Sequence, residues 1–185
     1  MTTFERAFGM LLEHEGGFSC EREDPGNWTG GSVGSGVLKG TKFGISAAAY
    51  PGLDIAGITE ATARSIYQRD YWERVQGDAL PPPLALLVFD AAVNNGVGQA
   101  VCWLQIAAGT VMDGKIGPQT LAAVAGCVAA RGPIPLCTEF LARRMMFMAS
   151  LPDWRVFGLG WSRRLAELPF QAVQISATAG EPGAR

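Results

Sequence analysis

The stretch LLEHEGGFSCEREDPGNWTGG, from Leu11 to Gly31, joins the end of a helical pattern to a glycine-rich segment. Apolar residues recur before it at spacings of three and four, which predicts an amphipathic helix over residues 3–14. The two glycines then predict the end of that helix, because glycine readily adopts the left-handed conformation of helix C-termini. The stretch holds five acidic residues, which raises the question whether one of them is catalytic.

Helical phase distinguishes Glu15 from the other acids. Glu15 lies three residues after Leu12 and four after Leu11, so it continues the apolar face of the helix. Glu13 points about 200° away from Leu11 around the helix axis. A carboxyl at a helix C-terminus meets the negative end of the dipole, which favours its protonated form and suits a proton donor. The alternative is a solvated acid at a frayed helix end.

Asp24 is the second candidate carboxylate. It lies nine residues after Glu15 and begins DPG, where an aspartate side chain commonly initiates a turn. Cleavage of a sugar–sugar bond needs one proton donor and often a second carboxylate. Both interpretations of Asp24 therefore stay open, whereas Glu21 and Glu23 are expected to be solvated.

The composition argues against several function classes. A net charge of −2 without a basic run disfavours nucleic-acid binding. The single histidine, His14, disfavours zinc peptidases and would have to be the base of any Ser-His-Asp triad. No apolar run approaches the length of a membrane span. Carboxylates are the expected reactive groups, and the four cysteines, none in a C-x-x-C pair, are expected to be small buried hydrophobes.

Most of the remaining chain is predicted to be helical. Residues 24–44 are too rich in glycine for a helix and predict a loop or short hairpin. Thr59 is predicted to cap a helix that runs to about Val75. The pattern predicts further helices at 84–94, 97–107, 118–130, 135–149 and 160–167.

Several motifs, taken in order, resemble glycoside hydrolase family 108, the phage and bacterial N-acetylmuramidases of the lysozyme-like superfamily. The resemblance covers residues 5 to about 168. Its first part rests on EGGF at 15–18, DPG at 24–26, TKFGIS at 41–46 and IYQRDYW at 66–72. The part similar to the family's peptidoglycan-binding region contains VFDAAVNNG at 88–96, LQIAAG at 104–109, DGKIGPQT at 113–120 and GWSRR at 160–164.

The resemblance implies a mainly α (α+β, lysozyme-like) fold, with a helical bundle core and a small glycine-rich β-hairpin next to the active-site helix. Residues 1–95 would form the catalytic part. Residues 96–170 would form the helical peptidoglycan-binding part, packed with the first as one globular unit. Residues 171–185 are expected to be a flexible tail, whose last ten residues, SATAGEPGAR, are small and polar and contain Gly and Pro.

The family's catalytic glutamate falls on Glu15, and the superfamily's aspartate and threonine fall on Asp24 and Thr41. Family members typically read D-P-G-G-x-T-x-x-G-I, whereas Asn27 stands at the second glycine here and a glycine-rich insertion follows. Thr29 matches the family threonine by its distance from Asp24, and Thr41 matches by the residues that follow it. We favour Thr41.

The implied chemistry is cleavage of the β-1,4 bond between N-acetylmuramic acid and N-acetylglucosamine in peptidoglycan glycan strands. Glu15 would donate the proton, while Asp24 and Thr41 would orient water or stabilise the cationic transition state; no metal or cofactor is implied. Trp28 and Phe43 are candidates for sugar contacts, because aromatic faces suit sugar rings. Asn94, on a predicted buried helix with Asp90 and Asn95, is a candidate for the cleft floor, with a purely structural role as the alternative.

Two other functions stay open: a lytic transglycosylase, and a non-catalytic peptidoglycan-binding or virion structural component. The first residues lack the shape of a signal peptide, so synthesis in the cytoplasm is expected, with action on the wall at its periplasmic or extracellular side. Release through a holin-type lesion or within a phage-like particle would bring the enzyme to the wall. Neither nucleic-acid binding nor membrane insertion is expected.

Overall fold

The computed structural model describes residues 1–13 and 17–179. That part of the chain contains seven α-helices and one two-stranded antiparallel sheet, which confirms the predicted mainly α fold. The helices are α1 (Thr3–Leu12), α2 (Glu60–Tyr67), α3 (Pro82–Asn95), α4 (Val97–Ala107), α5 (Pro118–Arg131), α6 (Pro133–Ala149) and α7 (Trp154–Ala179).

The contacts divide the chain into two compact units. The smaller unit is Phe8–Gln68 and holds the acidic stretch, the sheet and α2. The larger unit joins Met1–Ala7 to Arg69–Arg185 and holds α3 to α7.

Helix α1 begins at a capping box. The Thr2 hydroxyl accepts a hydrogen bond from the Glu5 amide at 3.1 Å, and the Glu5 carboxylate accepts one from the Thr2 amide at 2.8 Å. The predicted apolar face is confirmed, since its residues except the half-buried Leu12 are buried: Phe4, Ala7, Phe8 and Leu11. The last predicted position of this helix, His14, lies outside the described residues.

The sheet of the smaller unit is a short hairpin, as the glycine-rich sequence predicts. Strand β1 (Thr41–Lys42) pairs with β2 (Ile45–Ser46), so that Thr41 lies opposite Ser46. Phe43 and Gly44 form the connection with φ angles of 52° and 72°, and positive values at both positions are the requirement of a type I′ turn.

Helix α2 begins where predicted but ends earlier. The Thr59 hydroxyl caps it by accepting a hydrogen bond from the Thr62 amide at 3.2 Å. Beyond Tyr67 the chain continues as a π-helical turn, Gln68–Trp72, so the predicted α-helix to about Val75 is wrong in its last part. The turn ends at Trp72, which is buried and packs against Phe89 with ring centroids 5.5 Å apart.

Helix α3 is the central helix of the larger unit. It packs against α4, α6 and α7, and its residues from Leu84 to Ala92 are buried on every side. Trp103 of α4 adds an aromatic cluster with Phe140 and Phe147 of α6, at centroid distances of 6.3 and 5.3 Å. These contacts place one continuous apolar core around α3.

Gln105 organises the loop before α5. Its buried amide donates to the Asp113 carboxylate at 2.7 Å and accepts from the Asp113 and Gly114 amides. Hydrogen bonds from Gln105 and from the Lys115 amide lower the pKa of Asp113. The DGKIGPQT motif is therefore a structural turn held by a buried side chain.

Helix α7 differs from the sequence prediction. It is continuous from Trp154 to Ala179, whereas a helix over 160–167 and a flexible tail from 171 were expected. Gly160 and Pro169 are intrinsic helix breakers, but buried residues at helical spacing hold α7 together. Those residues are Leu165, Leu168, Ala172 and Ile175. Among the described helices, none is both long and apolar enough to span a bilayer.

The cysteines also differ from expectation. All four are free, and Cys20 is exposed while the others are half-buried, so complete burial is the wrong description. Cys137 contributes to an apolar pocket between α3, α6 and α7, where burial raises the pKa of its thiol to about 11.

Candidate active site

Asp24 occupies a defined turn. It precedes the 3-10 turn Pro25–Asn27, and its Oδ1 accepts a hydrogen bond from the Gly26 amide at 2.8 Å. The turn role considered from sequence is therefore present. The side chain is nevertheless exposed, and one such bond uses only part of the acceptor capacity of a carboxylate. Asp24 is thus held in place while its charge remains accessible to water.

Thr41 lies beside the segment that follows the diglycine. Its amide donates to the Ser19 carbonyl at 2.8 Å, and the Ser19 amide donates to the Thr41 carbonyl at 2.9 Å. The Thr41 hydroxyl donates to Oδ1 of Asn27 at 2.8 Å. The hairpin strand is therefore fastened on one side to residue 19 and on the other to the DPGN turn.

Thr29, the other candidate for the family threonine, makes its hydrogen bonds within the insertion. Its hydroxyl accepts from the Val37 amide at 2.8 Å, and its amide donates to the Val37 carbonyl at 3.0 Å. These bonds close the glycine-rich insertion upon itself. Thr41, in contrast, lies on the strand that is bridged to Ser19.

The glycine-rich insertion, residues 28–40, is an ordered loop whose two ends lie next to each other. Trp28 and Leu38 form an isolated antiparallel bridge, and the amides of Lys39 and Gly40 donate to the Asn27 carbonyl at 2.9 and 3.1 Å. Gly40 has a φ of +86°, and a Cβ there would lie 2.4 Å from the Ser19 carbonyl oxygen. The chain therefore leaves and returns at Asn27, which keeps Thr41 beside the turn despite the added residues.

The two aromatic candidates lie on this framework. The Trp28 indole donates to the Arg22 carbonyl at 2.9 Å and is half-buried. Phe43 is half-buried at the hairpin tip, where its carbonyl accepts from the Tyr67 hydroxyl at 2.9 Å. Both residues are partly exposed; the Trp28 ring is held by its own hydrogen bond, whereas the bond from Tyr67 holds the Phe43 backbone.

Asn94 belongs to the larger unit. It lies near the end of α3, is exposed, and donates its side-chain amide to the Asp90 carbonyl one helical turn earlier at 2.8 Å. Asp90 itself is buried and binds Arg144 and Arg164, each at 2.6 Å, while Asn95 accepts from Arg144 at 2.9 Å. Asp90 and Asn95 therefore have the structural role that was the alternative to a place on the cleft floor.

The structure thus brings Asp24, Thr41 and Trp28 together around Asn27 in the smaller unit, and Phe43 lies on the same hairpin. Glu15, the predicted acid, lies outside the described residues. Asn27 was not among the predicted site residues. The signal that could have indicated it is a large polar side chain at a position where the family pattern has glycine.

Comparison with known proteins agrees with this architecture. Residues 8–96 match the family model described as Glycosyl hydrolase 108, and residues 99–166 match the one described as Predicted Peptidoglycan domain. The chain is also similar to Brucella abortus SagA, whose solved structure is 31% identical over 94% of this chain and 95% of that chain, with a TM-score of 0.74. This chain belongs to glycosyl hydrolase family 108. A search of curated proteins found no match.

Membership of family 108 confirms the resemblance drawn from the motifs and makes the protein a glycosidase that acts on bacterial peptidoglycan. The model for the family covers Asp24, Asn27 and Thr41, together with α3. The peptidoglycan-domain match covers Arg144 and Arg164. The Asp90 cluster therefore joins a carboxylate from the first matched segment to two guanidinium groups from the second.

Proposed function

We propose that this family 108 protein is an N-acetylmuramidase. It hydrolyses the β-1,4 bond between N-acetylmuramic acid and N-acetylglucosamine, with Glu15 as the proton donor and Asp24 and Thr41 as the groups that orient the attacking water. The observation that carries the proposal is the attachment of both Asp24 and Thr41 to the turn at Asn27.

The position of Thr41 supports a site next to Glu15. Glu15 lies in sequence between the end of α1 at Leu12 and the bridge at Ser19. That bridge joins Ser19 to Thr41 through two backbone hydrogen bonds. The strand that carries the threonine is thus anchored four residues after the predicted acid.

The surroundings of Asp24 support a role for an ionised carboxylate. An oxocarbenium-like transition state is stabilised by negative charge and by a positioned water. Asp24 is exposed, so water and substrate reach it, and the bond from Gly26 limits its rotation. Trp28 and Phe43 supply partly exposed aromatic faces of the kind that sugar rings contact.

The biological role that follows is degradation of the cell wall, for lysis or for wall penetration. The enzyme would reach the wall either through a holin-type lesion or as part of a phage-like particle. Asn94 is retained as a proposed substrate contact, since this residue is exposed near the end of α3.

Product analysis tests the proposal. Purified peptidoglycan is digested with the wild-type protein, and the new chain ends are reduced with borohydride and identified by mass spectrometry. A muramidase gives reduced N-acetylmuramic acid ends. Ends with a 1,6-anhydro ring would instead show a lytic transglycosylase, reduced N-acetylglucosamine ends would show cleavage of the other bond, and no new ends would show a binding module.

A further inference from the structure

Asn27 is a fully buried polar side chain at the centre of the proposed site. Its Nδ2 donates to the Glu21 carbonyl at 3.0 Å, and its Oδ1 accepts from the Thr41 hydroxyl at 2.8 Å. Its own carbonyl accepts from the amides of Lys39 and Gly40. Asn27 therefore binds three parts of the chain: the acidic segment at Glu21, the end of the insertion at residues 39 and 40, and the Thr41 side chain.

The chemistry of these partners fixes the direction of each hydrogen bond. A backbone carbonyl can only accept, so the amide nitrogen of Asn27 must face Glu21. The amide oxygen consequently faces Thr41, and that oxygen can also only accept. The Thr41 hydroxyl must then donate its single proton to Asn27, which leaves only lone pairs for any other partner.

We propose that Asn27 is a positioning residue that makes the Thr41 hydroxyl a fixed hydrogen-bond acceptor for the attacking water. This inference rests on the proposed muramidase function. A water that donates one proton to Thr41 and the other to Asp24 has its lone pair free for the anomeric carbon. Asn27 acts on the reaction only through Thr41.

The same residue explains how the insertion is accommodated. Residues 28–40 separate Thr41 from the DPGN turn in sequence, yet the Asn27 side chain spans that gap with a direct bond. A glycine at position 27 would keep the backbone bonds to Lys39 and Gly40 but would leave the Thr41 hydroxyl free to rotate.

A double-mutant cycle tests the inference. The values of kcat and KM on soluble glycan strands are measured for the wild type, Asn27→Ala, Thr41→Val and the double variant, at a temperature where thermal melts show each to be folded. We expect Asn27→Ala to lower kcat about ten- to a hundredfold with KM changed less than about twofold. In the Thr41→Val background the same change should cost less than about threefold, because the residue through which it acts is already lost.

Thr29→Val is the matched control. It removes a hydrogen bond of the same 2.8 Å length from the same loop without touching Thr41, so it should lower the melting temperature while kcat stays within about twofold. If the losses from Asn27→Ala and Thr41→Val multiply independently, or if Asn27→Ala keeps full kcat while Thr41→Val does not, the inference is overturned.

Asn27→Asp provides a second variant if Asn27→Ala does not fold. The introduced carboxyl, while protonated, can donate to the Glu21 carbonyl and accept from Thr41, as the amide does. Its kcat relative to the wild type should be near one at low pH and fall as that carboxyl ionises; a ratio that is low at every pH would contradict the inference. Failure of the wild-type protein to release muramic acid ends would instead reject the proposed function.

Discussion

The Asp24 carboxylate accepts a hydrogen bond that any turn-forming aspartate accepts, and yet it is proposed as a catalytic group. These roles are compatible because the turn uses one oxygen as an acceptor and does not require the negative charge. Asparagine offers the same acceptor geometry without the charge, so one substitution can separate the turn from the chemistry.

For Asp24→Asn we expect the free energy of unfolding to stay within about 0.5 kcal/mol of the wild type, since asparagine and aspartate cap turns equally well. The value of kcat should fall about a hundredfold or more, because the charge that stabilises the transition state is lost. Urea unfolding and reducing-end release from peptidoglycan measure the two effects. Unchanged kcat would make Asp24 a turn residue only.

The site residues show which part of a site a sequence can reveal. Glu15 and Asp24 stood out because their spacing and helical phase are local properties of the chain. The bond between Asn27 and Thr41 joins residues 14 apart across an insertion, and no local pattern encodes it. An asparagine after Pro-Gly is read as a turn former, so its buried role became visible only in three dimensions.

At the level of elements, the hairpin depends on the close approach of Gly40, just before β1, to Ser19, which follows the diglycine. Gly40 combines a positive φ with the contact to Ser19, whereas Gly34, within the insertion, has a φ of +78° and nothing within 4 Å of an added Cβ. The two glycines therefore separate the cost of backbone conformation from the cost of a steric clash.

We predict that Gly34→Ala lowers the free energy of unfolding by about 1–2 kcal/mol, the cost of a left-handed conformation for a residue with a Cβ. Gly40→Ala should cost clearly more, because it also forces apart the paired residues Ser19 and Thr41. It should lower kcat as well. Equal losses of stability in the two variants, measured by urea unfolding, would show that the close approach is unimportant.

The helix boundaries also differ in whether local sequence signals or packing determine them. The bounds of α3 to α6 follow the predicted ranges closely, because apolar periodicity and an N-terminal proline or a glycine are local signals. The predicted helix is shorter than α7, because the glycines and Pro169 signal a break in the sequence. Packing against α3 and α6 stabilises the helix through that region, and this packing is not a local property of the sequence. The predicted boundary between residues 95 and 96 remains a prediction.

At the level of the whole molecule, the buried carboxylate of Asp90 holds three helices together. Arg144 of α6 is fully buried and Arg164 of α7 is largely buried, so both depend on one negative charge of α3. Burial lowers the pKa of Arg144, and the charge of Asp90 opposes that shift. Removing that charge would deprive both guanidinium groups of the carboxylate that they bind.

We therefore expect Asp90→Asn to lower the free energy of unfolding by about 3–5 kcal/mol, the cost of breaking a buried ion pair. Glu139→Gln is the matched control, because it removes the partner of Arg143 from a half-exposed pair on α6 and should cost less than about 1 kcal/mol. Similar losses in the two variants would mean that the Asp90 cluster contributes little to the stability of the protein.

The proposed mechanism depends on Glu15 as the acid, and the substitution Glu15→Gln tests that role. Purified peptidoglycan is incubated with Glu15→Gln and with Glu13→Gln, the neighbouring exposed acid that helical phase places off the apolar face, and the new reducing ends are counted. Loss of a general acid predicts a fall in kcat of about 10²- to 10⁴-fold for Glu15→Gln and near-wild-type activity for Glu13→Gln. Activity of a folded Glu15→Gln protein within about twofold of the wild type would show that Glu15 is not the acid.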